Sequence, residues 1–181
     1  MGFLKKAVDM MTKTQIPAEQ NPQINAVSSD LSRIVGERAL MIFSLDSIQT
    51  LELVELQSAA RKMPDFRPQM MLTLLTFCYS SSVYGSKDIE WAIENDRMVR
   101  YICGRTRPDW QSLRRFRRQN RDSLFQCLHY VMKQAWALKF DRGEADYVGY
   151  EWFERDLLEK LNQGANERIA VAALMDGAES E

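Results

Sequence analysis

The sequence predicts an all-α fold, a multi-helix bundle. Apolar side chains recur at three- and four-residue steps through most of the chain, which is the spacing of one helix face. Glycine and proline are few, eight and five in 181 residues, and helix-favouring residues are abundant. No segment alternates apolar and polar side chains as a strand does. A 45% hydrophobic content is enough to bury a substantial core.

Three regions follow from these patterns. Residues 1–44 are expected to form an N-terminal helical extension and linker, with a short amphipathic helix over 3–11. A further helix should begin near Ser29 or Asp30, because either side chain can cap the run LSRIVGERALMIF. Residues 45–140 carry the clearest helix signals and are expected to form the central domain.

The first half of the central domain predicts two helices separated by a proline turn. One helix follows Ser47 and ends at Pro64, with a single apolar face made of Ile48, Leu51, Val54 (or Leu53) and Leu56. The next begins at Pro68, since proline at the first helical position loses no hydrogen bond. Its sequence is apolar nearly all round, which predicts the central core helix.

Short helices follow. The Gly85-Ser86 pair breaks the core helix, and Ser86 is expected to cap a helix that turns Ile89 and Ile93 inward. Another short helix should stop at Gly104 with a left-handed C-terminal cap. After the turn RTRPD, Asp109 is expected to cap a basic helix that runs to Asn120.

The basic helix should have an inner side formed by Trp110, Leu113 and Phe116. A long helix then continues the apolar stripe through Leu124, Leu128, Val131 and Ala135. Several short helices joined by tight turns, the last of them basic, indicate a helix-turn-helix-like element.

Charge is divided unevenly along the chain. Residues 97–121 contain nine arginines, no lysine and a single acid, Asp109, whereas the whole chain sums to −1. Such a local field is typical of a surface that binds phosphate, and the planar guanidinium can bind phosphate or guanine bidentately. Residues 141–181 hold eleven acids and four bases. They are expected to form an acidic helical extension, with one helix in YEWFERDLLEKLNQ and another over 167–175.

The basic helix should contact nucleic acid with its outer face. Its N-terminal half would meet base edges, and the arginines around it would meet phosphates. The candidate residues are Arg105, Arg107, Gln111, Ser112, Arg114, Arg115, Arg117, Arg118 and Arg121, with Arg117 at the boundary between the faces. The alternative is a protein–protein interaction module whose arginines pair with the acidic segment or with an acidic partner.

Other classes of site lack the residues they need. A single histidine, His129, and three separated cysteines without a CxxC pair give no metal site and no disulfide framework. No glycine-rich phosphate loop, GxSxG motif or paired nucleophile and base is present, so we expect no cofactor and no catalytic residues. No apolar stretch is long enough to span a membrane, and a cytoplasmic location is expected.

An ordered set of motifs adds a family resemblance. The set comprises Arg67-Pro68, Gly85-Ser86, Ile89-Glu90, 101–104, Pro108-Asp109, Ser112-Leu113 and Arg115-Phe116-Arg117-Arg118. At this spacing the chain, over roughly residues 45–138, resembles the N-terminal domain of bacterial insertion-sequence transposases of the InsH type. In that family the domain precedes an RNase H-like catalytic domain.

The resemblance implies double-stranded DNA, at the ends of an insertion element, as the partner. In complete members a strand bearing the first of three metal-holding carboxylates follows the basic motif. Asp141 stands near that place, but an Arg-Gly follows it, no strand pattern surrounds it, and about 40 residues remain. We therefore expect a DNA-binding module of DNA transposition without catalytic activity, with a second copy of the chain or a transposase as a further partner.

Overall fold

The computed structural model describes residues 30–141 and 150–178, and these residues form helices joined by short connections, without any strand. The all-α prediction is confirmed for them. The elements, in chain order, are α1 Leu31–Val35, α2 Glu37–Asp46, a 3-10 helix Ser47–Thr50, α3 Leu53–Lys62, α4 Pro68–Ser80, α5 Ser86–Asn95, α6 Arg97–Cys103, α7 Trp110–Gln119, α8 Arg121–Asp141 and α9 Tyr150–Ala178. The helix predicted over 3–11 lies outside the described residues.

The helix predicted to begin near Ser29 or Asp30 is present but interrupted. Asp30 caps it as expected, since its carboxylate accepts a hydrogen bond from the Ser32 N–H at 3.0 Å. Gly36 separates α1 from α2 with a φ of 86°, a left-handed conformation that favours glycine. Leu31, Val35 and Leu40 nevertheless enter the common core.

The single helix predicted after Ser47 is wrong. The chain forms one 3-10 turn, extends at Leu51 and restarts as α3, where the Glu55 side chain accepts from the Glu52 N–H at 3.0 Å. This restart rotates the apolar positions, so Leu53 is 70% exposed and Val54 is 66% exposed. The expected apolar face therefore does not exist as one stripe.

The core helix lies where the sequence places it. α4 begins with Pro68 at its first position, and every residue from Met71 to Ser80 is buried. It packs against α2, α6 and α8, so it is surrounded on several sides. An apolar sequence all round is the composition that such a position requires.

The basic helix is held by the short helices before it. Ile89 and Ile93 of α5 are buried as predicted, and α6 ends at Gly104 with a φ of 59°. Residues 104–109 then connect α6 to α7, which packs against α5 and α4. This packing leaves the other side of α7 free to face solvent.

The C-terminal region differs from the two helices predicted for it. α9 is one continuous helix, because its inner stripe of Leu161, Ala165, Ile169 and Ala172 passes Gly164 without a break. The predicted stripe of α8 is buried as expected. α9 packs against α8 and α4, and its inner side chains join the same core as the central helices.

Buried cysteines complete the core. Cys78, Cys103 and Cys127 are free thiols, and burial raises the pKa of Cys103 and of Cys127 to about 11. None of the described helices has the length and apolar character needed to cross a membrane.

Candidate nucleic-acid interface

The start of α7 is fixed by a side-chain cap. The Asp109 carboxylate accepts a hydrogen bond from the Ser112 N–H at 2.7 Å, as the sequence predicts. Because the Ser112 amide and hydroxyl donate to it, and Arg115 lies nearby, the pKa of Asp109 is lowered. At the other end of the helix, Lys62 donates to the Gln119 carbonyl at 2.8 Å. Both ends of α7 are thereby anchored.

The inner side of α7 is the predicted one. Leu113 and Phe116 are fully buried, and Asn120 is buried just after the helix. Trp110 is half-buried at the edge of this side, with Arg114 and Lys87 over its ring at 5.3 and 5.7 Å from the centroid. Both cations lie within cation–π distance of the indole.

The outer side of α7 is basic. Arg115 and Arg118 are exposed, and Gln111 lies one turn before Arg115 on the same face. A cleft of about 390 Å³ opens on this side, lined by Asp109, Trp110, Gln111, Ser112, Arg114, Arg115 and Arg118. The structure therefore brings five of the predicted residues (Gln111, Ser112, Arg114, Arg115 and Arg118) to one surface.

The other exposed arginines among the predicted residues flank this helix in the chain. Arg105 and Arg107 lie in the connection before α7, and Arg121 begins α8 just after it; all three are exposed. Arg107 donates to the carbonyl oxygens of Gly104 and Thr106, at 3.2 and 3.0 Å, which orders its side chain.

One of the residues predicted to contact DNA, Arg117, does not lie on the surface. Arg117 is only 5% exposed and lies in the protein interior. Its guanidinium donates to the Asp176 carboxylate at 2.6 Å, the Ala172 carbonyl at 2.9 Å and the Tyr79 hydroxyl at 3.4 Å. In this conformation Arg117 cannot face DNA, because these partners from α9 and α4 cover it. Ser112 is also largely buried, with its N–H used by the Asp109 cap.

Asp176 is the centre of this buried network. It is 1% exposed, and its carboxylate accepts from both the N–H and the hydroxyl of Ser86, each at 2.8 Å. The N–H groups of a first helical turn lack partners within the helix, so Asp176 supplies the cap that Ser86 was predicted to supply. Arg114 also reaches Asp176, with Nε 3.6 Å from the carboxylate. One acid thus binds α5, α7 and α9 together.

A second buried cation extends the network. Arg168 donates to the Tyr79 carbonyl at 2.7 Å and to the Tyr84 hydroxyl at 3.0 Å, and burial lowers its pKa. Neither Arg168 nor Asp176 is among the residues predicted from the sequence. A signal existed, because these residues continue the three- and four-residue spacing of the inner stripe of α9. Charged residues on an apolar stripe indicate buried partners.

The central segment of the chain matches one known protein family. Residues 40–119 match a family model described as Transposase domain (DUF772), and the match ends on Gln119, the last residue of α7. This segment is related to the transposase domain family. The match confirms the resemblance to insertion-sequence transposases over this segment, which is less than half of the chain. No curated protein and no solved structure matches the chain.

Asp176 of α9 contacts the transposase-related segment through Ser86, Arg114 and Arg117. Substituting Asp176 measures how much these contacts contribute to the stability of the fold. We expect Asp176→Asn to lower the free energy of unfolding by about 3–5 kcal/mol, since it leaves the buried Arg117 charge without its anion. Urea unfolding followed by circular dichroism gives the value. Asp156→Asn, an exposed site on the same helix, is the matched control and should stay within about 0.5 kcal/mol of wild type. Equal stabilities for the two variants would contradict the network.

The Asp109 cap has a pH signature. Asp109→Ala should cost about 1 kcal/mol, whereas Asp109→Asn keeps the cap without the charge. Because the folded pKa is lowered, the carboxylate stabilises the fold above its unfolded pKa of about 3.9 and loses this effect as pH falls through the folded value. The difference in unfolding free energy between wild type and Asp109→Asn should therefore shrink as the pH falls from about 5 to below the folded pKa of Asp109. Urea unfolding at a series of pH values measures this difference. A difference that is constant with pH would exclude the charge effect.

Proposed function

We propose that the chain binds double-stranded DNA through the outer face of α7 and the residues around it. The observation that carries this proposal is the set of exposed arginines left after the buried network is formed. These are Arg105, Arg107, Arg115, Arg118 and Arg121. They belong to one continuous stretch of 17 residues whose single acid, Asp109, is used as a helix cap.

The electrostatics favour phosphate over other ligands. Five exposed guanidinium groups within 17 residues make this segment densely positive, and each phosphate they neutralise would release counterions from DNA. Gln111 and Arg115 lie in the N-terminal half of α7, the half that meets base edges in helix-turn-helix proteins. Phosphate contacts would set the register, and these two side chains would supply sequence choice.

The family relation suggests the biological setting. A transposase-related domain supports a role in transposition, and the ends of an insertion element are the target that the resemblance implies. The order α5, α6, connection, α7 supports a helix-turn-helix-like presentation in which α7 is the recognition helix. α7 packs on α5 and α4, which would hold it rigidly against the groove.

We also propose that this surface binds DNA without cleaving it. Two-metal phosphoryl transfer needs several carboxylates around the reacting phosphate. Residues 105–121 contain a single acid, Asp109, and its carboxylate accepts a hydrogen bond from the Ser112 N–H. Among the described residues, no group of three histidine, cysteine, aspartate or glutamate side chains converges to hold a metal ion.

A second candidate function is protein–protein interaction. Asp176 binding of Arg114 and Arg117 favours it, because this is an acidic segment paired with the arginine helix inside the same chain. An acidic partner could bind the exposed arginines in the same way. A competition experiment separates this function from the first. It compares a polyglutamate peptide and a DNA duplex as competitors at equal total charge.

DNA binding is tested by charge removal across a salt series. The triple variant Arg115→Ala, Arg118→Ala and Arg121→Ala should bind a duplex more weakly, with the slope of log affinity against log salt reduced by about three. Fluorescence anisotropy measures both quantities. The control removes three exposed arginines on other helices, Arg33, Arg38 and Arg155, and should keep most of the affinity. No affinity of the wild type at low salt, or equal losses in both variants, would overturn the proposal.

Cleavage is tested separately. The wild type is incubated with supercoiled plasmid and Mg²⁺ or Mn²⁺, and nicked and linear products are resolved on agarose. We expect no product above the metal-only control at concentrations that saturate binding. Metal-dependent nicking that disappears on substituting an acid of this chain would contradict the non-catalytic proposal.

A further inference from the structure

We infer that Asp176 withholds Arg114 from DNA, so that the last turn of α9 regulates the arginine surface. This inference rests on the proposed function, since it names a residue that competes with DNA for one arginine of the same site. It concerns Arg114 because that side chain stands between the buried network and the cleft.

Arg114 is engaged by the end of α9. Its terminal nitrogen donates to the Asp176 carbonyl at 2.8 Å, and its Nε lies 3.6 Å from the Asp176 carboxylate. α9 ends at Ala178, so the Asp176 carbonyl lies in the last turn, at the negative end of the helix dipole. Arg114 therefore caps the C-terminus of α9 with positive charge, the favourable sign at that end.

Arg114 and its neighbour Arg115 differ in exposure. Arg115 is adjacent on α7 and exposed, whereas the Arg114 side chain is 23% exposed and stacked over Trp110. Both line the same cleft. Successive helical residues turn by about 100°, and this rotation directs Arg114 toward Trp110 and the Asp176 anion of α9.

Asp176 is a strong competitor because it cannot turn away. Its carboxylate is held by Arg117 at 2.6 Å and by the two Ser86 groups at 2.8 Å, all buried. A fixed, desolvated anion binds a guanidinium more strongly than a mobile surface acid does. A DNA phosphate must displace this contact to recruit Arg114, so α9 reduces the number of phosphates that the free surface can bind.

Asp176→Asn removes the carboxylate charge beside Arg114 and keeps the backbone carbonyl that Arg114 also binds; losing this charge should let Arg114 gain one phosphate contact. In Asp176→Asn, the slope of log affinity against log salt should become steeper by about 0.9, the value for one phosphate. In an Arg114→Ala background the same substitution should leave the slope unchanged. These four proteins (wild type, two single variants and the double variant) form a cycle, measured by anisotropy on one duplex at a temperature where circular dichroism shows all of them folded.

Failures of the inference and of the proposed function are distinguishable. If the wild type does not bind DNA, the proposed function fails and the inference fails with it. If the wild type binds with a steep salt dependence, but Asp176→Asn has the wild-type slope or a lower one, the inference alone is overturned. A steeper slope that persists without Arg114 also overturns it, because another side chain would then be responsible.

A measurement without DNA keeps the inference testable if Asp176→Asn does not fold. Phenylglyoxal modifies accessible arginines, and peptide mass spectrometry gives the rate at each position. In the wild type, Arg114 should react at least several times more slowly than Arg115 and Arg118. Equal rates at the three positions would show that α9 does not withhold Arg114, and would overturn the inference.

Discussion

The buried ion pair between Asp176 and Arg117 is the interaction on which the arrangement of the arginine helix depends. It joins the last turn of α9 to the last turn of α7 at 2.6 Å, and the same carboxylate caps α5 through Ser86. Taking two charges from water is costly, so such a pair persists only with further hydrogen bonds. Here the Ala172 carbonyl and the Tyr79 hydroxyl provide them for the guanidinium. Helices distant in sequence are thereby fixed in one orientation.

This pair divides a cluster that looks uniform in the sequence. Arginines one position apart serve different purposes: Arg117 is structural, whereas Arg118 faces solvent. The division follows from helical geometry, since successive residues turn by about 100° and the apolar side of α7 ends at Arg117. A count of arginines in the sequence overestimates how many could contact DNA, because the fold buries some of them. The acidic segment supplies the anion for Arg117, so the pairing of arginines with acids that the alternative hypothesis predicts occurs within this chain.

Local signals predicted the parts of the fold that local physics decides. The Asp109 cap, the Pro68 start and the buried face of α8 depend on neighbours within one or two turns, and the structure has each of them. The α3 face was wrong because Leu51 adopts an extended backbone that periodicity alone does not reveal. Arg117 was assigned to the surface because its partner lies 59 positions further along the chain. Only tertiary packing brings such residues together.

The most direct test of the account is a DNA titration followed by NMR of arginine side chains in isotope-labelled protein. The account predicts that the Nε–H signals of Arg115, Arg118 and Arg121 shift or broaden as a duplex is added. The Arg117 signal, enclosed by Asp176 and Ala172, should stay in place. Shifts confined to arginines outside residues 105–121, or movement of Arg117 equal to that of Arg118, would contradict it.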